Sequence, residues 1–447
     1  MSITLGIDIG TSKCAAVCRD AAAGQIICSA SFAHHADILS VPDAAEQDVE
    51  LLIACVVKTV SALPEDIRRK VSAIGVTGQM HSVMGRNRER CFPLITWQDK
   101  RCGNAGLLNK YSRLSGHELH DGFGAATLAR LGKETDSWEY AATIMDHLVL
   151  LLCDNKKVVT DPANAASWGL LDEKSQQWDE RGAAALGIRK ELLPQICPSG
   201  SLAGHLCSDW SARLNVPAGT PVAVATGDNQ ASILGTGTDF DRELYLTLGT
   251  GAQLSAVISS EEAEKIIPGG KLELRPFPGK RKLAVCSCLC GGYAFTWLGE
   301  TLQKLLNDLG IPAPPLGELL DKADELGLES LQNNTVSLQL KPHFLGERTR
   351  QDLRGSICGI TPENFTIGNL AAADAVGILD NLLSDFPAEI LQKRTRLLGS
   401  GNGIRKVKCI QTVIRQKFSQ EFILQDTCEE AACGAARLAA NLLQEQI

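Results

Sequence analysis

The chain has 447 residues, of which 44% are hydrophobic and 21% are charged, and its formal net charge is −8. These values indicate a soluble globular protein and exclude a disordered or fibrous chain. The acidic balance offers no positive field for nucleic acid or an anionic membrane, and aromatic residues at 5% are too few for a base-stacking surface. We therefore expect a small-molecule partner and two or three domains.

The sixteen cysteines are compatible with a reducing compartment. The N-terminus, MSITLGIDIG, shows no signal-peptide pattern, and no apolar run approaches the roughly 18 residues of a membrane span. We therefore expect a cytoplasmic protein. Cys286, Cys288 and Cys290 alternate, which would place them on one face of a strand. We interpret them as buried core residues, with a metal or redox site as the alternative.

The first element in chain order is a β-hairpin over residues 3–20, whose apolar strands flank the polar turn GTSK at residues 10–13. Residues 244–260 repeat this pattern around the turn GTG at residues 249–251. An internal repeat half a chain apart indicates two domains built on one plan. We place the boundary near Gly235, which gives domains 1–235 and 236–447.

The remaining elements alternate between strands and helices. Short β-branched runs at residues 71–76 and 221–226 each end at a polar glycine turn and predict strands. Apolar spacing predicts helices over residues 47–63, 293–309, 368–383, 405–418 and 429–444. This alternation indicates an α/β architecture. The proline-rich stretch 309–319 is predicted to be a surface loop.

The first hairpin turn carries groups that suit a phosphate. Asp8 ends a strand, and the backbone N–H groups, hydroxyls and ammonium of Thr11, Ser12 and Lys13 follow it. Such a turn forms a concave anion site, and Asp8 could hold Mg²⁺ through water. A plain polar turn is the alternative, but the second turn of this kind favours phosphate binding. The Walker A pattern is absent.

Asp228, in the sequence GDNQAS, follows a short buried strand and opens a helix. We therefore place it at the C-terminal edge of a parallel sheet, where open α/β folds bind their ligands. Its carboxylate could accept the proton of a substrate hydroxyl, as a general base does. Capping the helix is the alternative role.

Gln79, Met80 and His81 also follow a predicted strand, and their neutral hydrogen-bonding groups are of the kind that recognise sugar hydroxyls. His34 and His35, in contrast, have no partner at metal-ligand spacing. We interpret both as solvated.

In the segment WQDKR, Trp97, Asp99 and Arg101 alternate, so a strand would present all three on one side. A core tryptophan beside a surface ion pair is the alternative. The EQD segment at residues 46–48 is either a capping cluster or a substrate contact. The glycine-rich run GSGNG at residues 399–403 would let a flat base approach the backbone, unless it is a plain strand–helix turn.

Together these segments resemble the FGGY carbohydrate kinases, a branch of the actin–hexokinase superfamily. The resemblance rests on the order, from residue 3 to the C-terminal helix, of DIGTSK, EQD, GQMH, WQDKR, GDNQAS, LTLGTGA, FLGERT, LGSGN and EEAACGAA. LITWQDKRC, DGFGAAT and NAASWG are particularly similar to the branch that phosphorylates sedoheptulose. GQMH and GDN suit the xylulose branch equally well.

The resemblance implies an α/β fold with two ribonuclease-H-like domains of the actin–hexokinase type, flanking an ATP and sugar cleft. It assigns sugar binding, the first phosphate turn and the catalytic base to the N-terminal domain, and nucleotide binding mainly to the C-terminal one. It implies ATP and Mg²⁺ as cofactors and a small-molecule sugar as partner. Nucleic acid and membrane are not expected as partners, and a homodimer is one possible assembly.

Residue by residue, the resemblance implies that Asp228 is the catalytic base and Asp8 the carboxylate near the metal. The implied substrate-binding residues are Gln79, Met80, His81, Trp97, Asp99, Arg101 and Asn229. The implied ATP-binding residues are Gly10, Thr11, Ser12, Lys13, Gly249, Thr250, Gly292, Gly399, Ser400 and Gly401. After LGSG the family usually has Ser or Asn a few positions on, whereas this chain has Ile404 and Arg405, so no nucleotide contact is implied there.

The sequence therefore predicts ATP-dependent phosphorylation of a free ketose at its terminal primary hydroxyl, with sedoheptulose as the substrate and D-xylulose as the alternative. Two other classes are weighed against it. An actin-like ATPase that activates a partner enzyme through an iron–sulfur cluster needs cysteines at a subunit interface. A non-catalytic sugar sensor has usually lost its base, whereas this chain retains Asp8 and Asp228.

Overall fold

The computed structural model describes residues 2–38, 41–347, 350, 352–425 and 429–444. Their contacts divide the chain into two compact units. With the gaps just given, the first comprises residues 2–236, 276–279 and 429–444, and the second comprises residues 237–275 and 280–425. Among the described helices, none is long and apolar enough to cross a membrane.

The first part of the chain alternates strands with short helices. Its strands are β1 (Ile3–Ile9), β2 (Lys13–Asp20), β3 (Ile26–Ala33), β4 (Asp37–Ile38), β5 (Glu46–Gln47), β6 (Val71–Gly78), β7 (Met84–Arg86), β8 (Leu94–Ile95), β9 (Tyr140–Ala142), β10 (Val159–Thr160), β11 (Leu171–Asp172), β12 (Gln177–Trp178), β13 (Gln195–Ile196), β14 (Leu202–His205), β15 (Pro221–Ala223) and β16 (Thr226–Gly227). Its α-helices are α1 (Val49–Ser61), α2 (Glu65–Arg68), α3 (Arg101–Asn104), α4 (Leu108–Ser115), α5 (Gly124–Leu131), α6 (Ile144–Cys153), α7 (Pro162–Trp168), α8 (Glu180–Ala185), α9 (Ser208–Leu214) and α10 (Asp228–Thr236). Two 3-10 helices span Gly132–Ser137 and Lys190–Leu192.

The second part of the chain has longer helices. Its strands are β17 (Glu243–Leu248), β18 (Ala252–Ile258), β19 (Leu272–Phe277), β20 (Arg281–Cys288), β21 (Gln339–Lys341), β22 (Ser356–Cys358), β23 (Arg396–Ser400) and β24 (Glu421–Leu424). Its helices are α11 (Ser260–Ala263), α12 (Gly292–Asp308), α13 (Leu316–Gln332), α14 (Ile367–Leu383), α15 (Ala388–Lys393), α16 (Asn402–Lys406), α17 (Lys408–Lys417) and, at the end of the chain, α18 (Glu430–Gln444).

The main sheet of the first unit has the strand order β14-β15-β6-β1-β2-β3, with β16 also pairing with β6. β1 and β2 form the predicted hairpin, in antiparallel register from Ile3 opposite Asp20 to Ile9 opposite Cys14. β6 runs parallel to β1, β15 and β16. Because strand side chains alternate, the odd-numbered residues of β1 are buried in one core with α1 and α6.

The C-terminal helix α18 packs in the first unit, whereas a division at residue 235 assigns it to the second domain. Gly6 of β1 lies against Ala432 so closely that a Cβ there would collide with the helix backbone, and Gly75 of β6 lies against Ala435 in the same way. Glycines on the face of the sheet opposite that core therefore let α18 approach it. The helical pattern of residues 429–444 predicts the helix but does not reveal which sheet it covers.

The main sheet of the second unit has the order β19-β20-β18-β17-β23-β24. β17 and β18 form the second predicted hairpin, with Leu248 opposite Ala252 at its turn. β23 runs parallel to β17, as β6 does to β1. Each unit therefore repeats one plan, a hairpin followed by a parallel strand beside its first member, as the internal repeat predicts.

Two predictions about the helices need correction. The predicted helix 405–418 is two helices, α16 and α17, which meet at Val407. The predicted loop 309–319 is too long, because α13 begins at Leu316, immediately after Pro315. Proline is favoured at the start of a helix, where no backbone N–H is needed, so the prolines here precede a helix that was not predicted.

Candidate active site

The neighbouring parallel strands β1, β6 and β16 end at one edge of the first-unit sheet. Gly78 of β6 pairs with Ile9 of β1 on one side and with Gly227 of β16 on the other. The N–H of Gln79 then donates to the carbonyl of Ile9 at 2.9 Å. This pairing brings the first hairpin turn, Gln79 and Asp228 to the same edge, although they are distant in sequence.

Asp8 and Asp228 lie close enough at this edge for their charges to interact. Burial, as the largest cause, and the carboxylates of Asp228 and Glu429 raise the pKa of Asp8 to about 8, against the opposing effect of Lys13. Although the residue as a whole is half-buried, Asp8 Oδ1 is enclosed and has no hydrogen-bond partner among the described residues. The edge therefore favours a proton or a cation beside Asp8.

Carboxylate oxygens in this arrangement suit a hard divalent cation. In the part of the chain that the structure describes, no group of three or more His, Cys, Asp or Glu side chains could hold a metal ion. A cation here would therefore take most of its ligands from water and from substrate phosphates. That is how Mg²⁺ is usually bound in phosphoryl-transfer enzymes, so the residues fit Mg²⁺ better than a metal that needs a closed protein cage.

Asp228 is the first residue of α10 and is half-buried. Its Oδ1 accepts the N–H of Asn229 at 2.8 Å, which also places Asn229 at this edge. Thr226, two residues earlier, is fully buried, and its carbonyl accepts the hydroxyl of Thr77 at 2.8 Å. The carboxylate thus stands at the end of a firmly held strand.

The side chains of Gln47, Trp97 and His34, from three segments, hold the first hairpin turn. Gly10 N–H donates to the carbonyl of Lys13 at 3.0 Å. The carbonyl of Thr11 accepts Nε2 of Gln47 at 2.8 Å, and its hydroxyl accepts Nε1 of Trp97 at 3.0 Å. Gln47, which belongs to the EQD segment, therefore contacts the backbone of the turn.

His34 was expected to be solvated, and that interpretation is wrong. The side chain is buried, and its Nε2 lies 2.9 Å from the Thr11 carbonyl. Its Nδ1 accepts the N–H of Ala36 at 3.1 Å, so the proton of a neutral ring is on Nε2, which donates to Thr11. His35 is exposed, as expected. The spacing of His34 in the sequence gives no signal for a histidine that binds a backbone carbonyl.

Lys13, at the end of the turn, forms an ion pair with Glu429. Its Nζ lies 2.6 and 2.7 Å from the two carboxylate oxygens, and the lysine side chain remains 48% exposed. Glu429 immediately precedes α18 and has a positive φ of 61°. Glu429 begins the segment EEAACGAA, but no site role was predicted for it, because only the packing of α18 brings it to the turn.

The residues of the GQMH segment lie at the end of β6, at this same edge of the sheet. Gln79 is buried and donates Nε2 to Oε1 of Gln47 at 2.7 Å. Met80 is buried against Gly227, where a Cβ would collide with its sulfur. His81 has a positive φ of 68°, and its Nδ1 lies 2.7 Å from the Ser167 carbonyl. Since a carbonyl only accepts, Nδ1 carries the proton and Nε2 of a neutral ring is an acceptor.

The WQDKR segment is a turn, and the strand predicted there is wrong: α3 begins at Arg101. Arg101 Nη2 instead forms ion pairs with Asp99 Oδ2 at 2.6 Å and with Glu46 Oε1 at 2.7 Å. Asp99 is only 2% exposed, and Trp97 is 40% exposed, so the alternative of a surface ion pair beside a core tryptophan is also wrong. The turn pairs Asp99 with Arg101 and directs Trp97 to the hydroxyl of Thr11.

The second unit brings its own predicted nucleotide residues together. The N–H of Gly291 donates to the Thr250 carbonyl, and that of Gly292 to the Gly249 carbonyl, both at 2.8 Å. A Cβ on Gly292 would lie 3.8 Å from the Cα of Gly403. The hairpin turn, the start of α12 and the glycine-rich run therefore meet.

The glycine-rich run turns from β23 into α16. Gly401 has φ +92°, which only glycine adopts readily, and Ser400 Oγ lies 3.1 Å from Thr247 Oγ1. Ile404 is buried, and Arg405 Nε donates to the carbonyl of Gln425 at 3.2 Å. These two residues therefore serve packing within the unit.

Cys286, Cys288 and Cys290 are buried at the end of β20 and just beyond it. Burial raises the pKa of Cys286 and of Cys288 to about 12, so both thiols are neutral at physiological pH. Cys290 Sγ accepts the N–H of Leu345 at 3.3 Å. The three cysteines are core residues, as the strand interpretation predicts. Glu347 is also buried, while Arg348 lies outside the described residues.

Comparison with known proteins gives consistent results. Residues 3–235 match the N-terminal domain of the FGGY family of carbohydrate kinases. The sedoheptulokinases of Mus musculus and Homo sapiens are 29% and 30% identical to this chain, over 97% of its length and 96% of theirs. The crystal structure of xylulose kinase from Rhodospirillum rubrum has a TM-score of 0.82 at 20% identity, over 100% of this chain and 91% of that one, which shows a shared fold.

The fold neighbours confirm the predicted two-domain α/β architecture of the actin–hexokinase type. The family match covers more than half of the chain, and a sugar kinase that is 30% identical matches 97% of it. This chain therefore belongs to the FGGY family of carbohydrate kinases and is a sugar kinase.

Proposed function

We propose that this kinase transfers the γ-phosphoryl group of ATP to the terminal primary hydroxyl of sedoheptulose, giving sedoheptulose 7-phosphate. The observation that carries the proposal is the 29–30% identity to two sedoheptulokinases along nearly the whole of both chains. Such a kinase uses the ATP of the cytoplasm, and we propose that compartment for it.

In this proposal Asp228 is the general base. It would accept a hydrogen bond from the primary hydroxyl and take its proton as the oxygen attacks the γ-phosphorus. Support comes from its position at the end of β16 beside Asp8, where the two carboxylates interact. A general base of this kind typically contributes about 10²–10⁴-fold to the rate.

Asp8 would hold Mg²⁺, mostly through water, together with phosphate oxygens of ATP. When bound, Mg²⁺ neutralises the charge that builds up on the phosphoryl group during transfer. Support comes from the enclosed Oδ1 of Asp8 and from the raised pKa of this carboxyl, both of which favour a positive charge nearby. Lys13 and the N–H groups of the Thr11 turn would bind phosphate oxygens.

The sugar would bind between the GQMH and WQDKR segments. Nε2 of His81 is the acceptor of a neutral ring whose Nδ1 is bound to Ser167, so it suits a sugar hydroxyl. The exposed face of Trp97 suits the apolar side of a sugar chain. Arg101 and Asp99 are bound to each other, so they would present a fixed donor and acceptor rather than mobile charges.

A coupled assay of ADP release tests the sugar assignment. The purified chain would be assayed with sedoheptulose, D-xylulose, D-ribulose, L-ribulose, L-xylulose, glycerol and gluconate. We expect the largest kcat/KM with sedoheptulose. A D-xylulose value more than about tenfold higher, equal to about 1.4 kcal/mol of transition-state preference, would replace sedoheptulose with D-xylulose. ADP release that no sugar accelerates would contradict the proposal as a whole.

A further inference from the structure

Asp161 connects two elements that lead to the proposed active site. The residue is fully buried, and its Oδ1 accepts the N–H of Asn164 at 2.8 Å, which caps the N-terminus of α7. Its Oδ2 accepts two hydroxyls, that of Thr226 at 2.7 Å and that of Ser199 at 2.6 Å. One carboxylate therefore binds a helix, a strand and a loop.

On the strand side, the connection leads to the proposed base. Thr226 is one of the two residues of β16, and Asp228 follows that strand directly. The hydroxyl of Thr226 binds Asp161, and its carbonyl is held by the hydroxyl of Thr77. A shift of Thr226 would therefore move the start of α10 and the carboxylate of Asp228 with it.

On the helix side, the connection leads to His81. Near the C-terminal end of α7, the hydroxyl of Ser167 accepts the N–H of His81 at 3.1 Å. The Ser167 carbonyl fixes the ring through Nδ1, and Nε1 of Trp168 donates to the carbonyl of Ser82 at 3.2 Å. This helix and its C-cap, Gly169, include the NAASWG segment, to which the sequence assigned no role.

We propose that Asp161 is a positioning residue that fixes the base Asp228 relative to the sugar contact His81. The inference rests on the proposed function, since it takes both of those roles from it. Three donors converge on two acceptor oxygens, and only a carboxylate accepts all three. The amide of Asp161→Asn would place Nδ2, a donor, against the Thr226 and Ser199 hydroxyls, which would then have to accept instead of donate.

The hydroxyls of Thr226 and Ser199 bind the same oxygen of Asp161, so removing them one at a time compares two equivalent hydrogen bonds, of which only one leads to the site. Thr226→Val removes the contact that leads to Asp228, and Ser199→Ala removes its equivalent on a loop outside the site. Thr226→Ser keeps the hydroxyl and serves as the conservative rescue. Turnover and sugar KM would be measured for each variant with whichever sugar the wild type phosphorylates best, together with Tm. The comparison therefore stays valid if the sugar assignment is wrong.

We expect Thr226→Val to lower kcat by about tenfold or more with little change in KM, because misplacement of a reacting group can cost up to about 10²-fold. Ser199→Ala should lose about as much Tm as Thr226→Val but keep kcat within about twofold of the wild type. Thr226→Ser should have a kcat close to that of the wild type. Asp161→Asn should lower kcat and also raise the sugar KM, because it disturbs both branches.

Equal kcat values for Thr226→Val and Ser199→Ala would overturn the inference and leave Asp161 as a structural residue. If Thr226→Val does not fold, Thr226→Ser decides: a large loss of turnover in a variant that keeps the hydroxyl would also overturn it. Normal turnover in Asp228→Asn would refute the base assignment separately, so the two failures are distinguishable.

Discussion

The side-chain amide of Gln47 donates a hydrogen bond of 2.8 Å to the carbonyl of Thr11. The same Nε2 donates to Oδ1 of Asp37 at 2.8 Å, and its Oε1 accepts Nε2 of Gln79 at 2.7 Å. The amide is buried and uses both donors and its acceptor. Gln47 therefore connects the proposed phosphate turn with a proposed sugar-binding residue.

Gln47→Glu tests this connection. The substitution keeps the shape but places a carboxylate against the Thr11 carbonyl and the Asp37 carboxylate, where Nε2 now donates. We expect a lower Tm and an increase of about tenfold or more in the KM for ATP, since a buried acceptor facing an acceptor typically costs about 1–3 kcal/mol. Kinetics with varied ATP at saturating sugar would measure the effect.

Gln195→Glu makes the same change of charge at an exposed position of the same unit and serves as the control. It should leave Tm and KM close to those of the wild type. An ATP KM in Gln47→Glu that matches this control would contradict the connection.

The sequence shows which groups the first hairpin turn carries but not which side chains hold the turn. Apolar alternation was sufficient for both hairpins, because their strands are buried and the glycine turns are short. The bonds from Gln47, His34 and Trp97 to Thr11 depend on tertiary packing between distant segments, which local patterns do not encode. The same reason explains why α18 was predicted as a helix but placed with the wrong domain.

Glu429 forms an ion pair with Lys13, the ammonium that we propose binds phosphate. The carboxylate of Glu429 lies 2.6 Å from the Lys13 ammonium and helps to raise the pKa of Asp8. Glu429→Gln removes this negative charge. We therefore expect ATP to bind about two- to fivefold more tightly, in keeping with about 0.5–1 kcal/mol for a partly exposed ion pair. Isothermal titration calorimetry at constant ionic strength would measure the change.

Glu430→Gln, one residue further on, makes the same change of charge and is the control for the general field. Its ATP affinity should change less than that of Glu429→Gln. Weaker ATP binding in Glu429→Gln would show instead that Glu429 holds Lys13 in its binding position.

The raised pKa of Asp8 predicts a pH dependence of stability. The unfolded carboxyl ionises near its ordinary pKa of about 4, whereas the folded one keeps its proton up to a pH of about 8. The folded state thus binds more protons in this window, so the free energy of unfolding falls as pH rises through it. Asp8→Asn should therefore raise Tm more at the top of the window than at its bottom, while it impairs turnover.

Asp146→Asn is the matched control, since burial also raises the pKa of Asp146 to about 8 in the same unit. It should show a similar gain of stability with pH but keep turnover within about twofold, because Asp146 binds Thr160 rather than the site edge. If Asp8→Asn gained no stability toward high pH, or kept normal turnover, the account of Asp8 would be wrong.

Hydrogen bonds to Asp99 explain why the segment around Trp97 is a turn rather than the predicted strand. Alternation of Trp97, Asp99 and Arg101 is compatible with a strand, but the carboxylate of Asp99 accepts the N–H groups of Ala45 and Arg101, at 3.2 and 3.1 Å. These bonds stabilise a turn instead. Charge and aromatic character are visible in the sequence and single these residues out, whereas the backbone that presents them is not visible there.

The most direct test of the account is the turnover of Asp228→Asn. The change keeps the size of the side chain and its capacity to start a helix, but it removes the proton acceptor. We predict that kcat falls by at least about 10²-fold, equal to about 2.7 kcal/mol, while ATP affinity by calorimetry stays within a few-fold and Tm changes little. Asp179→Asn, at the N-cap of α8, is the control and should keep normal turnover. Near-normal kcat in Asp228→Asn would contradict the mechanism at its central residue.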